Sequence, residues 1–246
     1  MRIIGETIRI PVERQGQTGM GQGGYGCWRL QQEIGQPVTT ALRKPLPLDT
    51  DLVVREHRSD DDQLRWTLIA PASPDEPILD AEPWAPDVPG TAALSIDAAT
   101  EARAHSNVAG DDHPAPHCLS CGTGERTLAV HAGALSDGRW ATPLRLPEWT
   151  LIDGEVDQSW VWMAIDCGCG WFTSMSGNSP GRGVTVQYAV DVIAALEPET
   201  DYSLVMWHGD YAPDWDGRKR GATAAIFAAD GSCMARSRSF WVRPAA

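Results

Sequence analysis

The sequence predicts an α+β protein in which one pattern, a helix followed by an antiparallel sheet, occurs twice. Gln22-Gly23-Gly24-Tyr25 opens a short helical stretch that precedes four strand-like runs. Asp157-Gln158-Ser159-Trp160 opens a longer helix that precedes four similar runs. Between the copies, residues 85–116 are rich in Ala, Pro, Asp and His, a composition typical of a linker.

The first copy covers residues 1–84 and begins with a predicted strand over 3–12, where apolar and polar residues alternate. A helix is expected from Gln22 to Glu33, because Gly35 is a stop signal and a proline follows it closely. Strands are then predicted at 38–42, 51–56, 64–69 and 78–84.

The linker is expected to contain one short helix, from Ala92 to Ala104. The second copy covers residues 117–246, and its helix is predicted from Val156 to Trp171. Its strands are predicted at 128–132, 139–146, 184–192, 202–209, 220–229 and 232–242. The last two are joined by an Asp230-Gly231 hairpin turn.

Composition and charge limit the kinds of protein that this chain can be and the kinds of partner that it can bind. The chain has 246 residues and is 42% hydrophobic, which is enough for a substantial core. Its 11 Trp residues suit both cores and ligand pockets. The net charge of −13 argues against nucleic acid and anionic membranes as partners. No apolar run approaches the ~20 residues of a membrane span, and the charged N-terminal segment is unlike a signal peptide, so a cytoplasmic protein is expected.

Asp166 is the strongest lead to chemistry, because it follows the apolar run 161–165 within a predicted helix. A carboxylate in such a place must be hydrogen-bonded, neutralised or functional, since desolvation of an isolated charge is costly. A purely structural ion pair with Arg182 is the alternative to a catalytic role.

Cys118 and Cys121, with two histidines just before them, have the spacing of half a zinc site. A structural zinc site needs four ligands, and the second pair would be Cys167 and Cys169, whose spacing is too short. We therefore favour reduced thiols and expect no metal site.

Three motifs, taken in their order along the chain, resemble a known family. The segment 117–122, His-Cys-Leu-Ser-Cys-Gly, is similar to the Cys-x-x-Cys-Gly segment that precedes many single hotdog domains. Gln22-Gly23-Gly24-Tyr25 resembles the family's His-Gly-Gly helix start, and Arg43-Lys44-Pro45-Leu46 resembles its Arg-x-Pro strand end. The chain thus resembles a double-hotdog acyl-CoA thioesterase. The resemblance implies two tandem hotdog domains, each a sheet wrapped around a central helix, that form a pseudo-dimer.

The resemblance also implies one carboxylate site between the two hotdog halves. In the family, an Asp or Glu about two turns into the helix activates water or attacks the thioester directly, and Asp166 matches that position. In the first copy the matching residue is Gln31, which cannot do acid–base work. The second helix start, 157–159, lacks the glycine pair.

The remaining site residues follow from the same resemblance. The backbone N–H groups of Gly23 and Gly24 would hold the carbonyl oxygen, because a helix start without side chains leaves them accessible. Gln22 and Thr185 would orient water or substrate.

Substrate-binding residues are expected among aromatic and basic side chains. Tyr25, Trp162 and Trp171 would line an acyl tunnel, although aromatic residues at helical spacing usually belong to a core. Arg218 and Lys219 would contact the phosphates of coenzyme A, although such a cluster is more often a solvated hairpin.

The function that the resemblance implies is hydrolysis of an acyl thioester of coenzyme A or of an acyl carrier protein. No cofactor is expected beyond the coenzyme A of the substrate, and association of such protomers into homo-oligomers stays open. Two alternatives remain. A dehydratase acting on a thioester would need a His near the acidic residue, and neither predicted hotdog helix has one. A non-catalytic acyl-binding or assembly protein is favoured by Gln31 and by the missing second glycine pair.

Overall fold

The computed structural model describes residues 2–106, 113, 115–175, 183–210 and 219–243. The helices are α1 (Gly23–Ile34), α2 (Ile96–Ala104) and α3 (Ser159–Met175). The strands are β1 (Arg2–Ile8), β2 (Val38–Leu42), β3 (Leu52–Arg58), β4 (Leu64–Ile69), β5 (Leu79–Pro83), β6 (Gly133–Ala134), β7 (Trp140–Arg145), β8 (Leu151–Ile152), β9 (Glu155–Val156), β10 (Val184–Val192), β11 (Asp201–Trp207), β12 (Lys219–Phe227) and β13 (Cys233–Val242).

Eleven of the described strands form one antiparallel sheet, in the order β1-β3-β4-β5-β2-β10-β13-β12-β11-β7-β6. The two halves of the molecule meet edge to edge, where β2 pairs with β10 through Ala41 opposite Gln187 and Thr40 opposite Tyr188. This joint makes one continuous sheet from the strands of the two halves. It also removes two strand edges that would otherwise be open to other chains.

Helix α1 packs on the sheet of the first half, and local signals set both of its ends. The side-chain oxygen of Gln22 caps the helix by accepting a hydrogen bond from the backbone N–H of Tyr25 at 2.7 Å. Gly35 ends the helix in the left-handed conformation, with φ of 75°, and its N–H donates to the Gln31 carbonyl. Leu30 buries the inner face of α1 against the first-half core. The start and stop predicted from the sequence are confirmed.

Helix α3 is apolar around most of its surface because the sheet of the second half and α1 enclose it. It begins at Ser159, three residues later than Val156, because residues 155–156 pair with 151–152 as a small hairpin. Asp157 then accepts a hydrogen bond from the Ser159 N–H at 2.8 Å. The helix continues past Trp171 to Met175, so the predicted end was too early.

Two predicted strands differ from the structure. The first strand stops at Ile8 instead of residue 12, and a short 3₁₀ turn follows at Val12–Arg14. Residues 128–132 lie outside the sheet. The N–H groups of Leu128 and Val130 donate instead to carbonyls of the preceding cysteine-containing loop, at 2.8 and 2.9 Å. The backbone of Ala129 has φ of 50°, which no strand residue adopts.

Helix α2 lies in the segment 85–116, and it covers the outer face of the second-half sheet. The Ser95 side chain caps it by accepting from the Ala98 N–H at 3.2 Å. Ala99 and Ala102 pack against Val205 of β11, whose neighbours along the strand face α3 instead. The division into residues 1–84, 85–116 and 117–246 stays a prediction. Within the described residues, no helix is long and apolar enough to cross a membrane.

Tyr188 links the joint between the two halves to α3. The residue is fully buried, and its hydroxyl donates to the Trp162 carbonyl at 2.7 Å. We expect Tyr188→Phe to lower the free energy of unfolding by about 1 kcal/mol, the usual net value of one hydrogen bond. Urea titrations of both proteins measure this loss. A variant as stable as the wild type would contradict the importance of this bond.

Candidate active site

Asp166 lies on α3 where that helix meets the start of α1, and the residue is only 4% exposed. Its Oδ1 accepts a hydrogen bond from the Thr185 hydroxyl at 2.7 Å. Its Oδ2 accepts from the Gln22 side-chain amide at 2.8 Å and from the Gly24 backbone N–H at 3.0 Å. Residues that lie far apart in the sequence therefore meet at one carboxylate, with donors from both halves of the chain.

The environment of Asp166 both raises and lowers its pKa. Burial raises the pKa of Asp166 to about 6, while the hydrogen bonds from Thr185, Gly24 and Gln22 oppose that rise. The group is therefore ionised at neutral pH. A carboxylate offers about four lone-pair positions, so one position is left for a further donor such as a water molecule.

Gly24 allows α1 and α3 to approach closely. A Cβ atom on Gly24 would lie 2.6 Å from the Trp162 carbonyl oxygen and 2.9 Å from the Cβ of Asp166. No side chain fits there, and the approach places the Gly24 N–H on the carboxylate. Gly24 is therefore needed for packing as well as for its N–H.

Gly23 and Gly24 have different surroundings. The Gly24 N–H is bonded to Asp166, whereas Gly23 borders a cavity beside the carboxylate. A Cβ atom on Gly23 would lie 3.2 Å from Asp166 Oδ2 and 3.5 Å from the Thr185 hydroxyl oxygen. The space in front of the carboxylate thus stays open because Gly23 has no side chain.

The cavity has a volume of about 590 Å³ and is walled by both halves of the molecule. Asp166, Thr185, Gln22 and Gly23 all border it. Its apolar walls come mainly from Met20, Leu42, Leu46, Val184, Trp171 and Trp241. Such a volume suits a small-molecule ligand with an apolar portion.

The three aromatic residues expected in an acyl tunnel lie in three different places. Trp171 borders the cavity. Trp162 is 1% exposed and packs edge-on against Tyr188 in the core. Tyr25 is half-buried beside Trp28 and beneath the Arg14 guanidinium, outside the cavity lining.

Of the two basic residues expected at the phosphates, only Lys219 lies within the described residues. Lys219 is exposed at the start of β12 and does not border the cavity. Arg218 lies outside the described residues, as does Arg182, the alternative partner of Asp166.

Two basic residues that the sequence reasoning did not assign to the site do border the cavity. Arg43 pairs with Asp80 at 2.7 Å, and Lys44 pairs with Glu76 at 2.5 Å. Both belong to the Arg-x-Pro segment that carried part of the resemblance. Because they directly follow β2, the strand that pairs with β10, they lie at the joint between the two halves.

The first half has no carboxylate that matches Asp166. The Gln31 side-chain oxygen accepts a hydrogen bond from the Val38 N–H at 3.1 Å. This contact joins the end of α1 to the start of β2, so Gln31 has a structural role in the described part of the chain.

Three cysteines and one histidine also border the cavity. The sulfur atoms of Cys118, Cys121 and Cys167 lie within 4.8 Å of one another and could hold a metal ion. His113 is 5% exposed and lies edge-on to Trp171. No signal in the sequence indicates that His113 borders the cavity, because this residue precedes the second copy of the pattern and lies on no regular element.

No protein-family model matches the sequence, and no curated protein matches it. Solved structures match it along almost the whole chain. A conserved protein of unknown function with the hot dog fold from Alicyclobacillus acidocaldarius has 13% identity and a TM-score of 0.56, covering 98% of this chain and 92% of its own. A Thermobifida fusca protein assigned provisionally as thioesterase II has 12% identity and a TM-score of 0.58, with coverage of 98% and 97%.

A third match is the pyran synthase domain from module nine of the sorangicin pathway. It has 11% identity and a TM-score of 0.62, covering 100% of this chain and 98% of its own. At such identities the matches show the fold alone. The chain is an α+β protein of two tandem hotdog domains, as the resemblance implied.

Gly24→Ala tests the close approach of the two hotdog helices. Because the added Cβ would overlap the Trp162 carbonyl, we expect α1 and α3 to separate, lowering the free energy of unfolding by about 1–3 kcal/mol. Gly90→Ala is the matched control, since a Cβ there meets nothing within 4 Å. Denaturant titration compares the variants, and equal stability of the two would contradict the packing role of Gly24.

Proposed function

We propose that the protein hydrolyses acyl thioesters of coenzyme A or of an acyl carrier protein, with Asp166 as the catalytic base. One observation carries this proposal: a buried carboxyl group borders an apolar cavity and is held by donors from both hotdog halves. Buried carboxylates with raised pKa values in a cavity are typical of active sites.

The structure favours activation of water over direct attack by the carboxylate. Three hydrogen bonds hold the two oxygens of Asp166, and they lower its nucleophilicity while leaving one lone pair for a water molecule. In the proposed reaction Asp166 takes a proton from water, and the hydroxide adds to the thioester carbonyl carbon. The intermediate then collapses with cleavage of the C–S bond, and the proton on Asp166 passes to the leaving thiolate.

Gly23 is proposed to hold the carbonyl oxygen during this reaction. It lies at the first turn of α1 and borders the cavity, and the positive end of the helix dipole favours a developing oxyanion there. The Gly24 N–H and the Gln22 amide are assigned to holding the carboxylate, because both already donate to Asp166 Oδ2. Thr185 has the same role at Oδ1.

The cavity supports an acyl thioester as ligand. Apolar walls suit an acyl chain, while Arg43 and Lys44 at the same cavity could contact anionic or amide groups of the carrier. Trp171 is the aromatic residue proposed to contact the acyl group. The names of structural neighbours with this fold include thioesterases, a dehydratase domain and a pyran synthase domain, so reactions on related substrates are a reasonable class to test.

Dehydration of a hydroxyacyl thioester is the second function that an observation favours. His113 borders the same cavity as Asp166, although neither α1 nor α3 carries a histidine. Against this function, the His113 Nδ1 accepts a hydrogen bond from the Ala115 N–H at 3.0 Å, which ties the ring to its own loop. Incubation with 3-hydroxyacyl and enoyl thioesters tests it, and interconversion without thiol release would favour the dehydratase.

Asp166→Asn tests the proposed function. The Asn oxygen can accept from Gln22 and Gly24 while its amide faces Thr185, so the fold should be kept. We expect kcat for thioester hydrolysis to fall by about 10²–10⁴-fold, the usual effect of losing a general base. Thiol release from acyl-CoAs of graded length measures the rate.

The matched control is Asp191→Asn, on β10 but away from the cavity, where the carboxylate pairs with Arg236 at 2.9 Å. Its kcat should stay close to that of the wild type. Hydrolysis that survives in Asp166→Asn, or a wild type that releases no thiol from any acyl-CoA or acyl carrier protein, would rule out the proposal.

Thr185→Val tests how the carboxylate is held. The substitution keeps the shape of the side chain and removes the hydrogen bond to Asp166 Oδ1. Because a hydrogen bond to a charged group contributes about 1.5–3 kcal/mol, we expect kcat/KM to fall by about 10- to 100-fold. Steady-state kinetics measure the loss, and an unchanged kcat/KM would show that Thr185 does not position the base.

A further inference from the structure

We propose that Cys118, Cys121 and Cys167 bind one soft divalent cation, for which zinc is the best match. Thiolates are preferred ligands of zinc, and all three sulfur atoms lie within 4.8 Å of one another beside the cavity. This inference does not depend on the proposed thioesterase activity, since it concerns other side chains and is tested by metal binding.

The separation of two of the three sulfur atoms matches that of ligands on a tetrahedral ion. The Zn–S bond is about 2.3 Å, so two sulfur ligands at tetrahedral positions lie about 3.8 Å apart. The Cys118 and Cys167 sulfurs are 3.7 Å apart. These two ligands therefore already have the separation that zinc requires, although they come from a loop and from a helix far along the chain.

The backbone of the loop 115–122, here called the lead-in loop, holds its two cysteines in place. The Gly122 N–H donates to the Cys118 carbonyl at 2.7 Å, closing a tight turn around the Cys-x-x-Cys pair. A Cβ atom on Gly122 would overlap the backbone oxygens of Cys118 and Pro116, at 2.4 and 2.5 Å. The turn thus requires glycine after the second cysteine, and it brings both thiols to the same side.

Helix α3 contributes Cys167 and not Cys169. Two residues along a helix differ in direction by about 200°, so these side chains lie on opposite faces. Cys169 is fully buried against Ser237 and Ser239 of β13. The spacing of Cys167 and Cys169 excludes a site that needs both of them, whereas the structure brings Cys167 alone to the lead-in loop.

Three protein ligands leave the fourth position of a tetrahedral ion to a water molecule from the cavity. His113 is not arranged to supply it. Its Nδ1 already accepts from the Ala115 N–H, so in the neutral ring Nε2 carries the proton and cannot bind metal. A bound ion would join the lead-in loop to α3 and so stabilise this wall of the cavity.

Cobalt and zinc titrations of the full-length chain test the site. The reduced, metal-free protein is titrated with Co²⁺ without oxygen, and thiolate-to-cobalt charge transfer is followed in the near ultraviolet. We expect one Co²⁺ per chain, displaced by one Zn²⁺, and a higher Tm with zinc because the ion binds only the folded state. Wild-type protein purified from zinc-containing medium should retain zinc by elemental analysis.

We expect Cys167→Ser and Cys121→Ser to weaken cobalt binding by about 100-fold or more. Loss of a residue that only orients a metal ligand can cost up to about 100-fold, and these substitutions remove the ligands themselves. Cys233→Ser is the matched control, because Cys233 lies on β13 outside the cluster, and it should bind like the wild type. If the reduced wild type binds neither ion, or if the charge-transfer band survives in Cys167→Ser, the proposal is wrong. A disulfide between Cys118 and Cys167 in a protein that binds no metal after reduction would likewise overturn it.

Discussion

The hydrogen bonds that Asp166 accepts from the first half of the chain are the interaction on which the site depends. They require the start of α1 to lie directly against α3, and Gly24 permits this because no side chain separates the helices. The joint of β2 with β10 holds the same two halves together at the sheet. The site therefore combines a carboxylate from one half with a helix start from the other, and neither half alone contains both or encloses the cavity.

Local signals explain why much of the fold could be predicted from the sequence. The Gln22 cap and the left-handed Gly35 act within a few residues of α1, so both helix ends are visible in the sequence. The strands of the second half have long apolar patterns and a clear hairpin turn at Asp230-Gly231. Asp166 stood out because a lone carboxylate in an apolar helix needs partners wherever the helix lies.

Contacts between distant segments explain what the sequence could not show. The Gly24 N–H bonds to Asp166, so its role differs from that of Gly23, and only the packing of the helices reveals this. Residues 128–132 have strand-like composition, yet hydrogen bonds to the lead-in loop keep them out of the sheet. The meeting of Cys167 with that loop has no local signature, because the two cysteines at 118 and 121 lie on a turn far from α3 in sequence.

The central claim is that Asp166 is buried yet ionised, because donors from both halves stabilise its charge. Infrared difference spectra between the wild type and Asp166→Asn, recorded at neutral pH with ¹³C-labelled aspartate, test this claim most directly. The account predicts a carboxylate stretching band that is lost in the variant. A band of a protonated carboxyl group in its place would contradict it, because a neutral group with these partners could not accept a proton from water.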